Sequence, residues 1–88
     1  MLPIRLKTAR LQANLTQEKL GVLAGIEEAT ARSRISQYES GIHRPTFEMM
    51  CAFAKVLNVP ECYFYTVDDD FAEIILKLHD GEMVQWVK

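Results

Sequence analysis

Residues 25–41 read GIEEATARSRISQYESG, a polar segment that two glycines enclose. Successive residues of a helix turn by about 100°, so a helix over residues 31–40 has one narrow apolar face, formed by Ala31, Ile35 and Tyr38. The remaining surface carries guanidinium groups, small hydroxyls and an amide, which belong to Arg32, Ser33, Arg34, Ser36 and Gln37. The segment therefore predicts a helix that buries a thin stripe and presents hydrogen-bond donors.

The donor-rich face has the chemistry of a nucleic-acid contact. Arg binds guanine through two hydrogen bonds, Gln binds adenine in the same way, and Ser binds bases or phosphates. A surface helix that only keeps a protein in solution usually carries Glu and Lys instead. Composition alone indicates DNA weakly, so the prediction depends on the spacing of the neighbouring segments.

A shorter helix precedes the polar one. Thr16 is suited to cap the segment QEKLGVLA, because its hydroxyl accepts a hydrogen bond from the first turn. Gly25 then permits a tight turn. Two helices joined in this way are typical of a helix-turn-helix, whose second helix enters the major groove of DNA. We expect Thr16 and Gln17, at the start of the first of these helices, to face the phosphate backbone.

One charge in this region requires a partner. Glu39 lies close to the apolar face of its helix, where an unpaired carboxylate costs free energy. Arg10 lies in the first helix of the chain, within the segment IRLKTARLQA. We expect Arg10 and Glu39 to form a buried ion pair that fixes the orientation of the helices more than it adds stability.

The rest of the chain also predicts short helices. Pro3 suits the first turn of one helix, Thr46 caps a mainly buried helix, a helical turn follows Pro60, and three aspartates precede a last helix over residues 69–79. The predicted fold class is all-α: a compact bundle of five short helices with a helix-turn-helix, followed by a C-terminal helix and tail. We expect one domain over residues 1–66 and a separate C-terminal element over residues 67–88.

Composition restricts the possible functions. The 88 residues carry a net charge of −2, but residues 1–44 hold seven Lys or Arg against four Glu, whereas residues 45–88 hold three Lys against eight acids. This polarity favours a polyanionic partner for the first half. No stretch approaches the roughly 20 apolar residues of a membrane span, and MLPIRLKTAR is no signal peptide, so we expect a cytoplasmic protein. Cys51 and Cys62 fit reduced thiols.

Catalysis and metal binding have little support in the sequence. His43 and His79 have no catalytic partner at motif spacing, and no glycine-rich phosphate loop is present. The run of Asp68, Asp69 and Asp70 resembles a helix cap more than a cation site, because no calcium-binding loop accompanies it. We expect no enzyme, no metal and no cofactor.

The C-terminal third leaves two interpretations open. Its apolar residues either return to the core of the same chain or form the interface of a homodimer, for which aromatic and Met residues are the usual anchors. The candidate interface residues are Phe71, Ile74, Ile75, Leu78 and Trp86. The acidic character of this third also suits a protein partner.

The order of the anchors resembles the phage-repressor and Cro type of helix-turn-helix domain, the Xre family of transcriptional regulators. The similarity extends over about residues 4–66 and rests on six separated anchors: Arg10, Leu15-Thr16-Gln17, Gly25-Ile26, Ile35-Ser36, Tyr38-Glu39 with Gly41, and Arg44-Pro45. The resemblance implies a bundle of four or five helices from a bacterium or phage that binds operator DNA, usually as a homodimer.

Site residues follow from the same resemblance by position. It implies that Gln17 holds a phosphate, and that Arg32, Ser33 and Gln37 face base edges. It places Ser36, His43 and Arg44 near the DNA backbone, and we add Thr16 and Arg34 to the candidate DNA-binding residues.

The sequence departs from the family pattern at one point. Eight residues separate Ile26 from Ile35, where the family usually has about four. The additional residues are about one helical turn. They either extend the polar helix backwards, which requires Glu28 to overhang the core, or lengthen the turn, in which case Thr30 caps the helix.

The sequence thus predicts a sequence-specific DNA-binding regulator, a repressor that acts as a homodimer on a near-palindromic operator. Its recognition helix lies within residues 28–40. The alternative is an antitoxin or adaptor, a protein-interaction module that uses the acidic C-terminal third.

Overall fold

The computed structural model describes residues 1–81, and every regular element in that range is helical. The α-helices are α1 (Pro3–Gln12), α2 (Gln17–Leu23), α3 (Glu28–Ser40), α4 (Phe47–Leu57) and α5 (Asp69–His79), and a 3₁₀ helix (Glu61–Tyr65) lies between α4 and α5. The prediction of an all-α bundle with a C-terminal helix is confirmed. Residues 82–88, which include the candidate interface residue Trp86, lie outside the described residues.

Three of the predicted helix starts, those of α2, α4 and α5, are made by side-chain caps. The hydroxyl of Thr16 accepts a hydrogen bond from the Lys19 amide at 3.0 Å, and that of Thr46 accepts one from Met49 at 3.1 Å. The carboxylate of Asp68 accepts one from the Phe71 amide at 2.8 Å. Each cap satisfies an amide that has no partner within its own helix, and so it sets where the helix begins.

The helix-turn-helix depends on a close approach of α2 to α3. Gly21 is buried in α2, and a Cβ atom at this position would lie 2.7 Å from the Cβ of Ala31. Gly25 adopts a φ of +98°, which a residue with a side chain rarely adopts. The Ile26 amide then donates to the Gly21 carbonyl at 2.9 Å, so the turn is tied back onto α2.

The four additional residues lengthen α3 and not the turn. Glu27 has an extended backbone, with φ −58° and ψ 139°, and the helix runs for 13 residues from Glu28 to Ser40. Residues 27–30 are all exposed, so Glu28 overhangs the core and its carboxylate stays in water. Thr30 does not cap the helix, because it lies within the first turn, where its hydroxyl donates to the Glu27 carbonyl at 3.4 Å.

One core holds the bundle together. It draws residues from all five α-helices and from the 3₁₀ helix, and its largest fully buried side chains are Leu6, Leu20, Ile35, Met50, Phe53, Tyr63 and Phe64. The ring of Tyr38 packs edge-on against Phe53, with centroids 5.8 Å apart, so the inner face of α3 is anchored on α4. The outer face of α3 therefore has a fixed position.

The connection to α5 is held by a buried arginine. Arg5 donates from Nε to the Thr66 carbonyl at 3.0 Å, and from Nη2 to the Val67 carbonyl at 3.0 Å and Oδ1 of Asp69 at 2.9 Å. Its guanidinium also lies 5.7 Å from the ring centroid of Tyr63. Burial raises the pKa of the Tyr63 hydroxyl, and the positive charge of Arg5 partly opposes this. Arg5 thus fixes where α5 leaves the bundle.

Only one side of α5 packs on the bundle. Ala72 is buried, and Ile75 and Leu76 are half-buried against the core. Phe71 and Leu78, in contrast, are 47% and 44% exposed. Of the candidate interface residues, Ile75 therefore faces its own chain, whereas the side of α5 that carries Phe71 and Leu78 has no cover from the core.

Candidate nucleic-acid interface

The interface is built around a buried ion pair. Arg10 and Glu39 meet with Nε and Oε2 2.6 Å apart, and their side chains are only 9% and 5% exposed. A second hydrogen bond joins Nη2 of Arg10 to Oε1 of Glu39 at 3.1 Å, and Nη1 donates to the Leu15 carbonyl at 2.9 Å. The pair thus links α1, the α1–α2 connection and the end of α3, as the position of Glu39 predicts.

The same carboxylate positions Gln17. The Gln17 amide donates from Nε2 to Oε1 of Glu39 at 3.1 Å. An amide nitrogen carries two hydrogens, so this bond leaves the second one for a further acceptor. Gln17 is the first residue of α2, and Glu39 therefore holds its side chain at the mouth of the cleft between α2 and α3.

This cleft brings several predicted residues together. It has a volume of about 690 Å³ and lies between α1, the start of α2 and the part of α3 that runs from Arg32 to Ser40. Its lining consists of Lys7, Arg10, Thr16, Gln17, Glu18, Arg32, Ser36, Glu39 and Ser40. Arg10 and Glu39 neutralise each other. The remaining charged side chains are two cations, Lys7 and Arg32, and one anion, Glu18, so the cleft has a net positive charge. An anionic oxygen entering it meets hydroxyl, amide and cationic donors.

The outward surface of α3 continues from the cleft. Ser33 is exposed, and its hydroxyl donates to the Thr30 carbonyl at 3.2 Å while its lone pairs remain accessible. Arg32 and Ser36 are also exposed, whereas Gln37 is half-buried. Ser33 and Gln37 lie outside the cleft, so the predicted base-reading set spans the cleft wall and the adjoining outer face of one helix.

Arg34 lies on the other flank of α3. Its Nη2 donates to the Tyr38 hydroxyl at 2.6 Å, and its guanidinium carbon is 5.7 Å from the centroid of the same ring. Arg34 is exposed, so it remains able to contact an anion, but Tyr38 restricts its orientation. The structure therefore places Arg32 and Arg34 on opposite sides of the helix.

His43 and Arg44 lie in the exposed connection that follows α3. Gly41 ends the helix with a φ of +80°, and the Gln37 carbonyl accepts hydrogen bonds from the amides of Ile42 at 3.0 Å and His43 at 3.3 Å. This arrangement satisfies a carbonyl at the helix end. It also ties the connection to Gln37, whose side chain is predicted to contact a base.

Three residues of the cleft, Lys7, Glu18 and Ser40, are absent from the set that the sequence predicts. Lys7 is exposed on α1, three residues before Arg10, and Ser40 ends α3. Spacing of three residues places Lys7 and Arg10 on one helix face, so the position of Arg10 could have revealed Lys7. Ser40 gave no such signal, because in the sequence it is simply a serine at the end of a helix. In the structure its hydroxyl donates to the Gln37 carbonyl at 3.2 Å.

Two further findings concern residues 1–81 alone. Within this range, no three His, Cys, Asp or Glu side chains are grouped so that they could hold a metal ion. Likewise, no helix in the described part of the chain has the length and apolar character needed to span a membrane.

Comparison with known proteins agrees with this geometry. Residues 6–64 match the helix-turn-helix family model. The crystal structure of the transcriptional regulator BswR superposes with a TM-score of 0.87 at 43% sequence identity, and the alignment covers 90% of this chain and 78% of BswR. No curated protein matches the sequence significantly. The match spans all the anchors from Arg10 to Arg44-Pro45, and the chain therefore belongs to the helix-turn-helix family of Xre/Cro-type DNA-binding regulators.

Proposed function

We propose that this protein is a sequence-specific transcriptional repressor that binds a near-palindromic operator as a homodimer. The observation that carries the proposal is the donor-lined cleft, together with the exposed outer face of α3 that adjoins it. The similarity to BswR, which is a transcriptional regulator, supports a regulatory role. In this proposal the protein represses by occupying its operator.

The proposed reading residues lie on α3. Arg32, Ser33 and Gln37 would contact base edges in the major groove, because an arginine or amide side chain makes paired hydrogen bonds with a purine. The inner face of α3 is fully packed, with Ala31 and Ile35 at 0% exposure, so the helix enters the groove without repacking. A rigid helix loses little conformational entropy on binding.

The proposed phosphate contacts flank this helix. Thr16, Gln17, Ser36 and the newly found Lys7 lie around the cleft, and His43 and Arg44 follow α3. Arg34, on the opposite flank, would reach the backbone across the groove. Such contacts position the protein on the duplex and carry little sequence information.

We assign residues 1–66 to DNA binding and residues 67–88 to dimerisation. The exposed Phe71 and Leu78, with Ile74 between them, support this division. Two copies related by a two-fold axis would place their recognition helices about 34 Å apart, one turn of DNA.

Selection of bound sites from random duplex DNA tests the proposal. We expect a near-palindromic consensus with half-sites about 10 base pairs apart. Binding to that consensus should weaken with salt, with a log–log slope of about −0.9 for each phosphate neutralised. Recovery of no consensus, or binding of every duplex equally well at all salt concentrations, would contradict sequence-specific regulation. Repression is then tested with a reporter gene that carries the selected operator.

One observation favours the second candidate, an antitoxin or adaptor. The first turn of α5 is acidic, and the apolar residues Phe71 and Leu78 are exposed on the same helix. A basic protein partner would suit this surface. If the purified protein stays monomeric at concentrations where it binds DNA, this candidate replaces the homodimer.

A further inference from the structure

The outward surface of α5 has the pattern of a helix-pairing seam. Phe71, Ile74 and Leu78 follow one another at spacings of three and four residues, as in the apolar seam of a coiled coil. Phe71 is 47% and Leu78 44% exposed, and Ile74 is half-buried but does not belong to the core cluster. Val67, just before the helix, is also 78% exposed.

The two ends of α5 carry opposite charges, with Glu73 between them. The first turn carries Asp69 and Asp70, and the last turn carries Lys77 and His79. Asp70 and Lys77 are seven residues apart, almost two helical turns, so both lie on the same flank of the seam. Among residues 1–81, neither of these two side chains takes part in an ion pair.

We propose that two copies of the chain pair through α5 in an antiparallel arrangement, with the two-fold axis beside Ile74. Asp70 lies four residues before Ile74 and Lys77 three residues after it. When the partner helix runs in the opposite direction, Asp70 and the partner's Lys77 therefore differ by only about 1.5 Å along the helix axis. The same holds for Phe71 and the partner's Leu78.

Symmetry also brings the correct flanks together. A two-fold axis perpendicular to two antiparallel helices places the same flank of each helix side by side, so each interface contains the Asp70–Lys77 pair twice. A parallel arrangement would instead place Asp70 and the partner's Lys77 on opposite sides of the seam, where they cannot pair, and would align the two helix dipoles. This charge self-complementarity identifies a second copy of the chain as the occupant of the seam. The inference rests on the homodimer of the proposed function.

Charge exchange tests the arrangement in the full chain without DNA. Asp70→Lys and Lys77→Asp each turn both attractive pairs into repulsive ones, and we expect each to raise the dimer Kd about tenfold at low salt. The double variant D70K/K77D re-forms both pairs and should return to within about threefold of the original Kd. Glu48→Lys, at an exposed position on α4, changes the charge as much as Asp70→Lys does and serves as the control. Sedimentation equilibrium measures all four variants.

Cysteine cross-linking tests the direction of the helices. In a background with Cys51→Ser and Cys62→Ser, we expect I74C to form a covalent dimer on mild oxidation. F71C with L78C in one chain should also cross-link, whereas F71C alone should not. Efficient cross-linking of F71C alone would show parallel helices and overturn the inference. Circular dichroism confirms that each variant is folded.

The results separate this inference from the proposed function. If the single charge variants leave the Kd unchanged, or if the double variant is no better than either single variant, the antiparallel pairing is wrong even when the protein binds its operator. A protein that is monomeric at all accessible concentrations also overturns it. If the double variant restores the dimer Kd but the protein binds no duplex, the pairing is supported and the proposed regulatory function is contradicted.

Discussion

Glu39 is a buried residue that holds side chains of the candidate interface in position. Its carboxylate receives hydrogen bonds from Arg10 and Gln17 and is almost completely buried. A charge on Glu39 is stable there because Arg10 neutralises it, and the pair replaces hydration that both groups lose. The cost of that desolvation means that the pair defines a geometry more than it adds stability.

Glu39→Gln should therefore destabilise the fold and weaken DNA binding together. The substitution keeps the shape of the side chain but leaves the Arg10 guanidinium buried without a counter-charge, and we expect a loss of about 2–3 kcal/mol in the free energy of unfolding. Urea denaturation measures it. Glu48→Gln, at an exposed position in the first turn of α4, is the control and should change stability by less than about 0.5 kcal/mol. Equal effects of the two substitutions would show that the pair is dispensable.

Substitutions of Arg32 and Gln17 should weaken DNA binding in different ways. Arg32→Ala removes a proposed guanine contact, and we expect it to lower discrimination at one operator position by about 1–3 kcal/mol. Gln17→Ala removes a proposed phosphate contact and should weaken binding to all sequences by a similar factor. Competition titrations with single-base operator variants distinguish the two patterns. If Arg32→Ala leaves the base preference intact, the proposed position of α3 in the groove is wrong.

At the scale of elements, the distance between α2 and α3 depends on the absence of one side chain. Gly21→Ala would place a methyl group 2.7 Å from the Cβ of Ala31, a contact that requires the helices to separate. We expect a loss of about 1–3 kcal/mol in stability and a weaker affinity for the operator. Thermal and urea unfolding measure the first, and a binding titration measures the second.

A double variant isolates this contact. Ala31→Gly makes room for the new methyl group, although glycine in a helix itself costs about 1 kcal/mol. If the clash is real, G21A/A31G should be more stable than the sum of the two single changes predicts, by about 1 kcal/mol or more. Strict additivity would mean that α2 and α3 accommodate the methyl group without moving.

Arg5 should determine how firmly α5 is attached. Arg5→Gln removes the donors that hold the carbonyls of Thr66 and Val67, so we expect faster amide hydrogen exchange in α5 and unchanged exchange in α3. Asp69→Asn is a matched control, because the Asp69 side chain is 89% exposed and its loss leaves both carbonyl contacts intact. Similar exchange in both variants would assign the attachment to the ion pair alone.

At the scale of the whole molecule, removal of the C-terminal element should separate dimerisation from DNA contact. A chain truncated after Thr66 keeps the cleft and the outer face of α3, and we expect it to be monomeric in sedimentation and to retain affinity for a half-site. Affinity for the complete operator should fall, because the two half-sites are no longer bound by one linked particle. Ile74→Asp in the full chain disrupts the same proposed interface without truncation, and we expect it to give the same two results. A truncated chain that dimerises as strongly as the full one would contradict the assignment.

Local signals predicted most of the fold. Thr16, Thr46 and Asp68 cap their helices, and Gly25 and Gly41 adopt the positive φ that their positions suggest, because these features depend on a few neighbouring residues. The start of α3 stayed open for the opposite reason. A helical extension and a longer turn both suit Glu-Glu-Ala locally, and the choice depends on the overhang of Glu28 beyond the core.

Long-range contacts could not be predicted from one sequence. Arg5 binds backbone carbonyls more than sixty residues away, and a carbonyl has no sequence signature. Gly21 matters only because Ala31 approaches it in space. In the candidate site, the Arg10–Glu39 pair could be predicted because an acidic residue on an apolar face requires a partner. The cleft itself, which adds Lys7, Glu18 and Ser40, required the relative positions of three helices.

The separation of the two faces of α3 has an evolutionary consequence. Ala31, Ile35 and Tyr38 hold the helix in place, whereas Ser33 and Ser36 are exposed and form no part of the core. Mutations on the second face therefore change folding little, and in the proposed function they change mainly the contacts with DNA. If that function holds, a duplicated copy of this chain can acquire a new target through a few substitutions and remain a well-folded protein at every step.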